Sequence, residues 1–144
     1  MNEVLLNKST LINNSIRSKD DRGSIISIVD SEISNVSLIT CNANSIRSNH
    51  YHLSDFHYMF VLEGEIDYFY KDINNDEIKY LKIKKGENIF TPPMEIHATY
   101  FPIKTQLIVS SKNPRDQETY EKDTVRVDFV NSENISLLLD KFSK

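Results

Sequence analysis

The sequence is short of cysteine, of histidine and of long apolar runs. Cys41 is the one cysteine. No internal disulfide can form, so a cytoplasmic location is the default. With no basic partner evident to lower its pKa, Cys41 reads as a small strand residue. No apolar run approaches the roughly 18–20 residues that a membrane helix needs. The opening MNEVLLNKSTLINNS lacks a basic region followed by a long apolar stretch, so no signal peptide is expected. Positive charge is not in excess. A net charge of −4 gives no general drive toward nucleic acid or an anionic membrane. There is no internal repeat and no low-complexity linker. At 144 residues, 39% hydrophobic and 26% charged, the chain is expected to form one soluble domain over 1–144 with a real core.

The middle of the chain reads as strand after strand. SIISIVD (24–30), VSLIT (36–40), SIRSNHYH (45–52), HYMFVLEG (57–64), EIDYFYKD (65–72), EIKYLKIK (77–84), NIFT (88–91), HATYFP (97–102) and QLIVSS (106–111) are rich in β-branched and aromatic residues. Gly64, INND, KKGE and TPP punctuate them. Many short strands at this spacing predict a sandwich or barrel. The tail NSENISLLLDKFSK differs. It starts with capping residues, and Ile135, Leu138, Leu139 and Phe142 fall at helical spacing, predicting a helix over about 132–143 that covers part of the barrel. In HYMFVLEG both faces are apolar, with His57, Met59 and Val61 on one and Tyr58, Phe60 and Leu62 on the other. Such a strand is covered on both sides, by the helix, the N-terminal segment or a second subunit. A homodimer is expected.

The chain has four histidines, and three fall within eight residues. His50 and His52, two apart on a strand, present both imidazoles to one face. After four intervening residues His57 opens the next strand, where antiparallel pairing can bring it beside them. His97 closes GENIFTPPMEIH, and a strand crossing the barrel can carry it to the same point. Neutral imidazole suits zinc, iron, nickel and copper.

These residues resemble the two signature motifs of the cupin superfamily. The first is H-x-H, three or four residues, usually Glu, six residues, then Gly. His50, His52, His57 and Gly64 match it, with His57 where Glu is usual. The second is Gly, five residues, P-x-G-x-x-H. Gly86, Pro92 and His97 match it, with Met94 in place of Gly. The resemblance covers roughly 45–111 and implies an all-β fold, a double-stranded β-helix (jelly-roll or cupin barrel). It also implies a divalent metal ion (zinc, iron, nickel or manganese) held inside by His50, His52, His57 and His97.

A narrower resemblance points to the RmlC-like cupins that act on nucleotide-linked deoxysugars. The dTDP-4-dehydrorhamnose 3,5-epimerases carry D-x-R-G and R-G-x-H-x-Q, and the dTDP-4-dehydro-6-deoxyglucose ketoisomerases carry R-G-x-H-x-H. Asp20 or Asp21 with Arg22 and Gly23 resembles the first element. Arg47, His50 and His52 resemble the second, with Ser48 replacing Gly. RDQETYEKDTVRVDF resembles the closing segment of ketoisomerase-like cupins, which extends the likeness to about 20–130. This implies an isomerase or epimerase that moves a proton next to a sugar carbonyl, with His50 and His52 catalytic. Arg22 and Arg47 would bind substrate, because a guanidinium fork matches diphosphate oxygens. The partner is then a small-molecule nucleotide sugar. Two other classes compete: a metal-dependent dioxygenase of a small acid or diketone, and a non-catalytic sugar-binding cupin. None of the seven tyrosines is assigned as an acid, and Tyr51, Tyr58, Tyr68 and Tyr70 read mostly as outer-face packing. Glu63 and Glu65 read as hairpin charges, and Lys82, Lys84 and Lys85 as a solvated strand end.

Overall fold

In the computed structural model, residues 6–143 are described. Residues 1–5 and 144, part of the expected single domain and of the opening read for a leader, lie outside them. The order is β1 (Thr10–Ile12), β2 (Ser15–Asp20), β3 (Gly23–Ser27), β4 (Asn35–Cys41), β5 (Ser45–His52), β6 (His57–Glu63), β7 (Glu65–Asp72), β8 (Lys79–Lys84), β9 (Asn88–Thr91), β10 (Glu95–Phe101), β11 (Thr105–Ser111), α1 (Gln117–Asp123), β12 (Thr124–Arg126) and α2 (Ile135–Phe142).

Two five-stranded antiparallel sheets form the jelly roll, in the orders β1-β9-β6-β11-β4 and β12-β5-β10-β7-β8. Among the described residues, β2 and β3 pair only with each other. The alternation of β6 turns Met59 and Val61 inward, where they meet Ile66, Tyr68, Ile83, Ile89, Phe101, Leu107 and Val109 in one buried core. Tyr68 therefore faces inward and is fully buried, contrary to its reading as outer packing. The parity was ambiguous because both faces of β7 carry aromatics. The expected C-terminal helix is α2. It lays Leu138 with Phe129 and Val130 over Phe69, Ile96 and Ala98, so it covers the outer face of the second sheet and leaves that of β6 uncovered.

The turn from β6 to β7 admits only glycine. Gly64 has φ +92, and a Cβ there would lie 2.6 Å from the Lys104 carbonyl oxygen. The turn can thus press against the β10–β11 connection and close this end of the barrel.

Candidate active site

Strand parity and one bulge build the site. β5 pairs with β10, setting His97 opposite His50 and Ala98 opposite Ser48, so Asn49 is left as the extra residue. Ser48 (φ 72) and Asn49 (φ 58) are both left-handed. Asn49 has a local reason for this conformation. Its side chain accepts from the Val130 amide at 2.8 Å and donates to the Val130 carbonyl at 2.9 Å. Ser48 sits where the motif has glycine and keeps glycine's backbone, at a cost of roughly 1–2 kcal/mol for a residue with a Cβ. Met94, at the other motif glycine, is also left-handed, with φ 62.

The four histidines come together between the sheets. His50, His52 and His97 arrive on β5 and β10, and His57 arrives from β6 in the opposite sheet. Ring centroids lie 4.6 Å apart for His50–His52, 4.7 Å for His50–His97, 5.2 Å for His57–His97 and 5.8 Å for His52–His57. His50, His52 and His97 each offer a nitrogen within 4.8 Å of the others. His57 stands against this group from the far wall.

Hydrogen bonds fix two of the tautomers. His97 Nδ1 lies 3.2 Å from the Glu95 carbonyl oxygen. A carbonyl only accepts, so Nδ1 carries the proton and Nε2 keeps its lone pair. His52 Nδ1 lies 3.3 Å from Thr124 Oγ1, whose own proton goes to the Tyr120 carbonyl at 2.6 Å. Thr124 therefore accepts from His52, and Asp123 Oδ2, 3.7 Å from Nδ1, favours the same form. His52 Nε2, His57 Nδ1 and His97 Nε2 are buried without a hydrogen-bond partner. Buried polar atoms left this way are uncommon unless a ligand meets them.

Burial keeps all four rings neutral. Desolvation, followed by the neighbouring His97 and His52, pushes His50 down to about 2. Desolvation and then Arg115 push His52 to about 4. Desolvation and then His52 push His97 to about 3, and His57 is driven well below the usual histidine value by the same cause. Neutral imidazoles with inward lone pairs suit a proton acceptor or a divalent metal equally.

A cavity of about 130 Å³ opens onto this cluster. His50, His52 and His57 line it, with Arg47 and Ser48 on one wall and Arg115 and Tyr120 on another. Arg47 is exposed, and its guanidinium lies 3.4 Å from the Thr40 carbonyl oxygen, which puts it at the mouth. Arg22 does not line the cavity. It sits on the β2–β3 hairpin, 89% exposed in its side chain and bonded to Asp20 at 2.6 Å. Arg115 and Tyr120 were missed by sequence reading. Arg115 lies over the Tyr120 ring at 5.0 Å, and Tyr120 faces the His52 ring at 5.6 Å. The available signal was the Asp116 cap, which accepts from the Thr119 amide and starts α1.

The barrel and its inward histidines define a cupin of the RmlC-like kind. The sequence matches the family described as "Polysaccharide biosynthesis C-terminal domain" over residues 18–123, and the chain belongs to that family. No curated protein matches the sequence. Similar solved structures include the 3,4-ketoisomerase QdtA from Thermoanaerobacterium thermosaccharolyticum in complex with TDP. It is 20% identical, with 95% of this chain and 98% of that one covered and a TM-score of 0.68. The TDP-quinovose 3,4-ketoisomerase WlaRB from Campylobacter jejuni is 19% identical over 84% of this chain and 94% of that one, TM-score 0.69. The capsular polysaccharide assembling protein CapF from Staphylococcus aureus is 20% identical over 82% of this chain but 33% of that one, TM-score 0.63. Among the described residues no helix is long and apolar enough to cross a membrane.

Proposed function

We propose that this protein is an enzyme that isomerises or epimerises a nucleotide-linked keto-deoxysugar by proton transfer next to the carbonyl. The observation that carries the reading is the pair of inward imidazoles, His50 and His52, in a small cavity with Arg47 at its mouth. At about 130 Å³ the cavity is below the roughly 300–1,000 Å³ of whole-ligand pockets. It suits a sugar ring, leaving the diphosphate to Arg47 outside. QdtA was solved with TDP, and that chemistry fits this arrangement.

A keto sugar loses a proton from the carbon beside the carbonyl to the His50 lone pair and becomes an enediolate. Return of the proton to the other carbon, with one oxygen-bound proton moving the opposite way, shifts the carbonyl and consumes nothing. Return to the same carbon from the other face epimerises it. His50 alone is a weak base. The anionic enediolate that forms beside it raises its basicity as the proton moves. Arg47 holds the phosphates, and His52, locked in one tautomer, presents its Nε2 lone pair beside the reacting atoms.

A divalent metal belongs to the proposal. His50, His52 and His97 would hold it with His57 adjoining, and the unpartnered buried nitrogens support that fit. Such an ion supplies Lewis-acid polarisation of a carbonyl. A lone pair that binds metal cannot also take a proton, so the two uses of His50 and His52 compete. The same orphan nitrogens favour a second reading, a metal-dependent dioxygenase of a small acid or diketone.

The test is solvent deuterium incorporation into TDP-4-keto-6-deoxyglucose, read by mass spectrometry, beside metal analysis of protein purified without an affinity tag. Incorporation that vanishes in His50→Ala supports the isomerase. No incorporation into any keto sugar, with oxygen consumed on a small acid or diketone, selects the dioxygenase.

A homodimer is part of the same reading. An isolated two-stranded hairpin is marginal in water, and β2–β3 exposes Ile16, Ile25 and Ile26, while edge strand β4 exposes Val36 and Leu38. A second copy would cover these surfaces. Light scattering at micromolar concentration should give twice the chain mass.

A further inference from the structure

We infer that the Thr99 hydroxyl orients the bound hexose by a hydrogen bond to one of its oxygens. This assignment rests on the nucleotide-sugar reading above. Strand parity aims the side chain into the barrel. On β10, Ala98 packs with Phe129 and Val130 on the outer face of its sheet, whereas Phe101 joins the core between the sheets. Thr99 shares the parity of His97 and Phe101 and turns inward with them. Both neighbouring strands agree. Thr99 stands opposite Tyr68 of β7, which belongs to the core, and opposite Arg47 of β5. It lines the cavity and is only 1% exposed.

Nothing in the protein uses this hydroxyl. It has no hydrogen-bond partner among the described residues. Beyond the histidines the cavity wall is apolar, with Met59, Phe101, Leu107 and Val109. Valine has nearly the same shape, suits a strand equally and would bring no polar atom to desolvate there. Packing therefore gives no reason for threonine, and a ligand oxygen does.

Its position selects what it touches. Thr99 lies two residues beyond His97 on β10 and across from Arg47. Arg47 is the cation for the diphosphate, and His97 belongs to the cluster at the reacting carbons. A ligand that reaches from one to the other presents its hexose to Thr99. The hydroxyl can donate to a carbonyl or ether oxygen and accept from a sugar hydroxyl. The apolar side chains around it offer contact without direction, so this one bond sets which edge of the ring turns toward His50. A sugar without the matching oxygen would leave the hydroxyl unpaired and bind less well.

The experiment compares Thr99→Val, Thr99→Ser and the unaltered protein by calorimetric titration with TDP and with TDP-4-keto-6-deoxyglucose, together with thermal melting. Thr99→Val should bind the keto sugar about 3- to 10-fold more weakly and TDP with unchanged affinity. Thr99→Ser keeps the hydroxyl and loses the methyl group, and should bind the keto sugar more tightly than Thr99→Val. Thr99→Val should melt no lower than the unaltered protein, because no bond within the chain is lost. A fall of several degrees would give the hydroxyl a structural task and overturn the assignment. Thr99→Ser as weak as Thr99→Val makes shape responsible and overturns it too. Equal weakening toward TDP places the contact on the nucleotide and has the same consequence. An unaltered protein that binds the keto sugar no better than Thr99→Val does overturns this assignment alone. An unaltered protein that binds neither ligand removes the nucleotide-sugar reading and this assignment with it.

Discussion

The amide and the hydroxyl of Ser9 both donate to the carboxylate of Glu95, 86 residues further along the chain, the amide at 3.0 Å. The bond continues inward. The Ser9 hydroxyl also meets the Tyr68 hydroxyl at 2.5 Å, and Tyr68 reaches Thr91 at 2.7 Å. The Tyr68 ring lies nearly parallel to that of His97, centroids 6.3 Å apart. A buried polar chain thus ties the strand-leading segment before β1 to the wall that carries a site histidine.

Ser9→Ala should lower stability by about 1–3 kcal/mol, because it leaves a buried carboxylate and a buried phenol each short of a partner. Thermal melting should show a fall of several degrees. An unchanged midpoint would mean that the N-terminal segment is not anchored through this chain.

Thr124 fixes the His52 tautomer by passing its own proton to Tyr120. Thr124→Val keeps the shape and removes the acceptor. Nitrogen NMR of the imidazoles should then show loss of the single Nδ1-protonated form of His52. Turnover should fall about 10-fold or more, since supporting partners of this kind typically matter by 10- to 100-fold. Retention of one Nδ1–H signal in the variant would assign the tautomer to Asp123 instead.

The barrel and most of the histidine cluster are legible in the sequence, and the reasons are local. SIRSNHYH alternates, so its parity places His50 and His52 together. Gly64 and Pro92 mark turns whose spacing carries His57 and His97. What escapes is long-range or polar. α1 buries no residue, so it shows no apolar stripe, and Arg115 and Tyr120 lie in a stretch that reads as surface. SIRSKD gives no sign that β2, among the described residues, will pair with β3 alone. Tyr68 belongs to a strand apolar on both faces, and its inward turn depends on Ser9 and Thr91, which no local pattern connects to it.

Acid should unfold the protein through these histidines. An unfolded histidine takes its proton near 6.5, whereas burial holds His52 at about 4 and His97 at about 3. Above 6.5 both states are neutral and these groups add no pH dependence. Below 6.5 the unfolded chain binds protons that the folded chain refuses, so stability falls as pH falls, until the folded values are reached. Each histidine contributes up to about 1.4 kcal/mol per pH unit in that window. Melting temperatures should decline steadily from pH 6.5 to 5, before most carboxylates titrate. A flat profile over that range would falsify the neutral, buried cluster.

The two arginines make the last distinction. Arg47 lines the cavity at its mouth, while Arg22 is exposed on the β2–β3 hairpin and paired with Asp20. Within one chain Arg22 lines no part of the cavity, so as a substrate-binding residue it has to act across a dimer. Losing a charge-assisted contact costs about 1.5–3 kcal/mol, or roughly 10- to 150-fold in affinity. Arg47→Ala should therefore weaken TDP binding by about that factor at every protein concentration. Arg47→Lys should recover only part of it, because an ammonium lacks the fork. Arg22→Ala should leave TDP affinity within about twofold where light scattering finds monomer, and weaken it only where dimer forms. The readout is calorimetric titration at two protein concentrations. An Arg22→Ala effect of the same size in monomer and dimer would mean that the hairpin closes over its own cavity. No effect of Arg47→Ala would move the diphosphate to Arg115, the other guanidinium on the cavity wall.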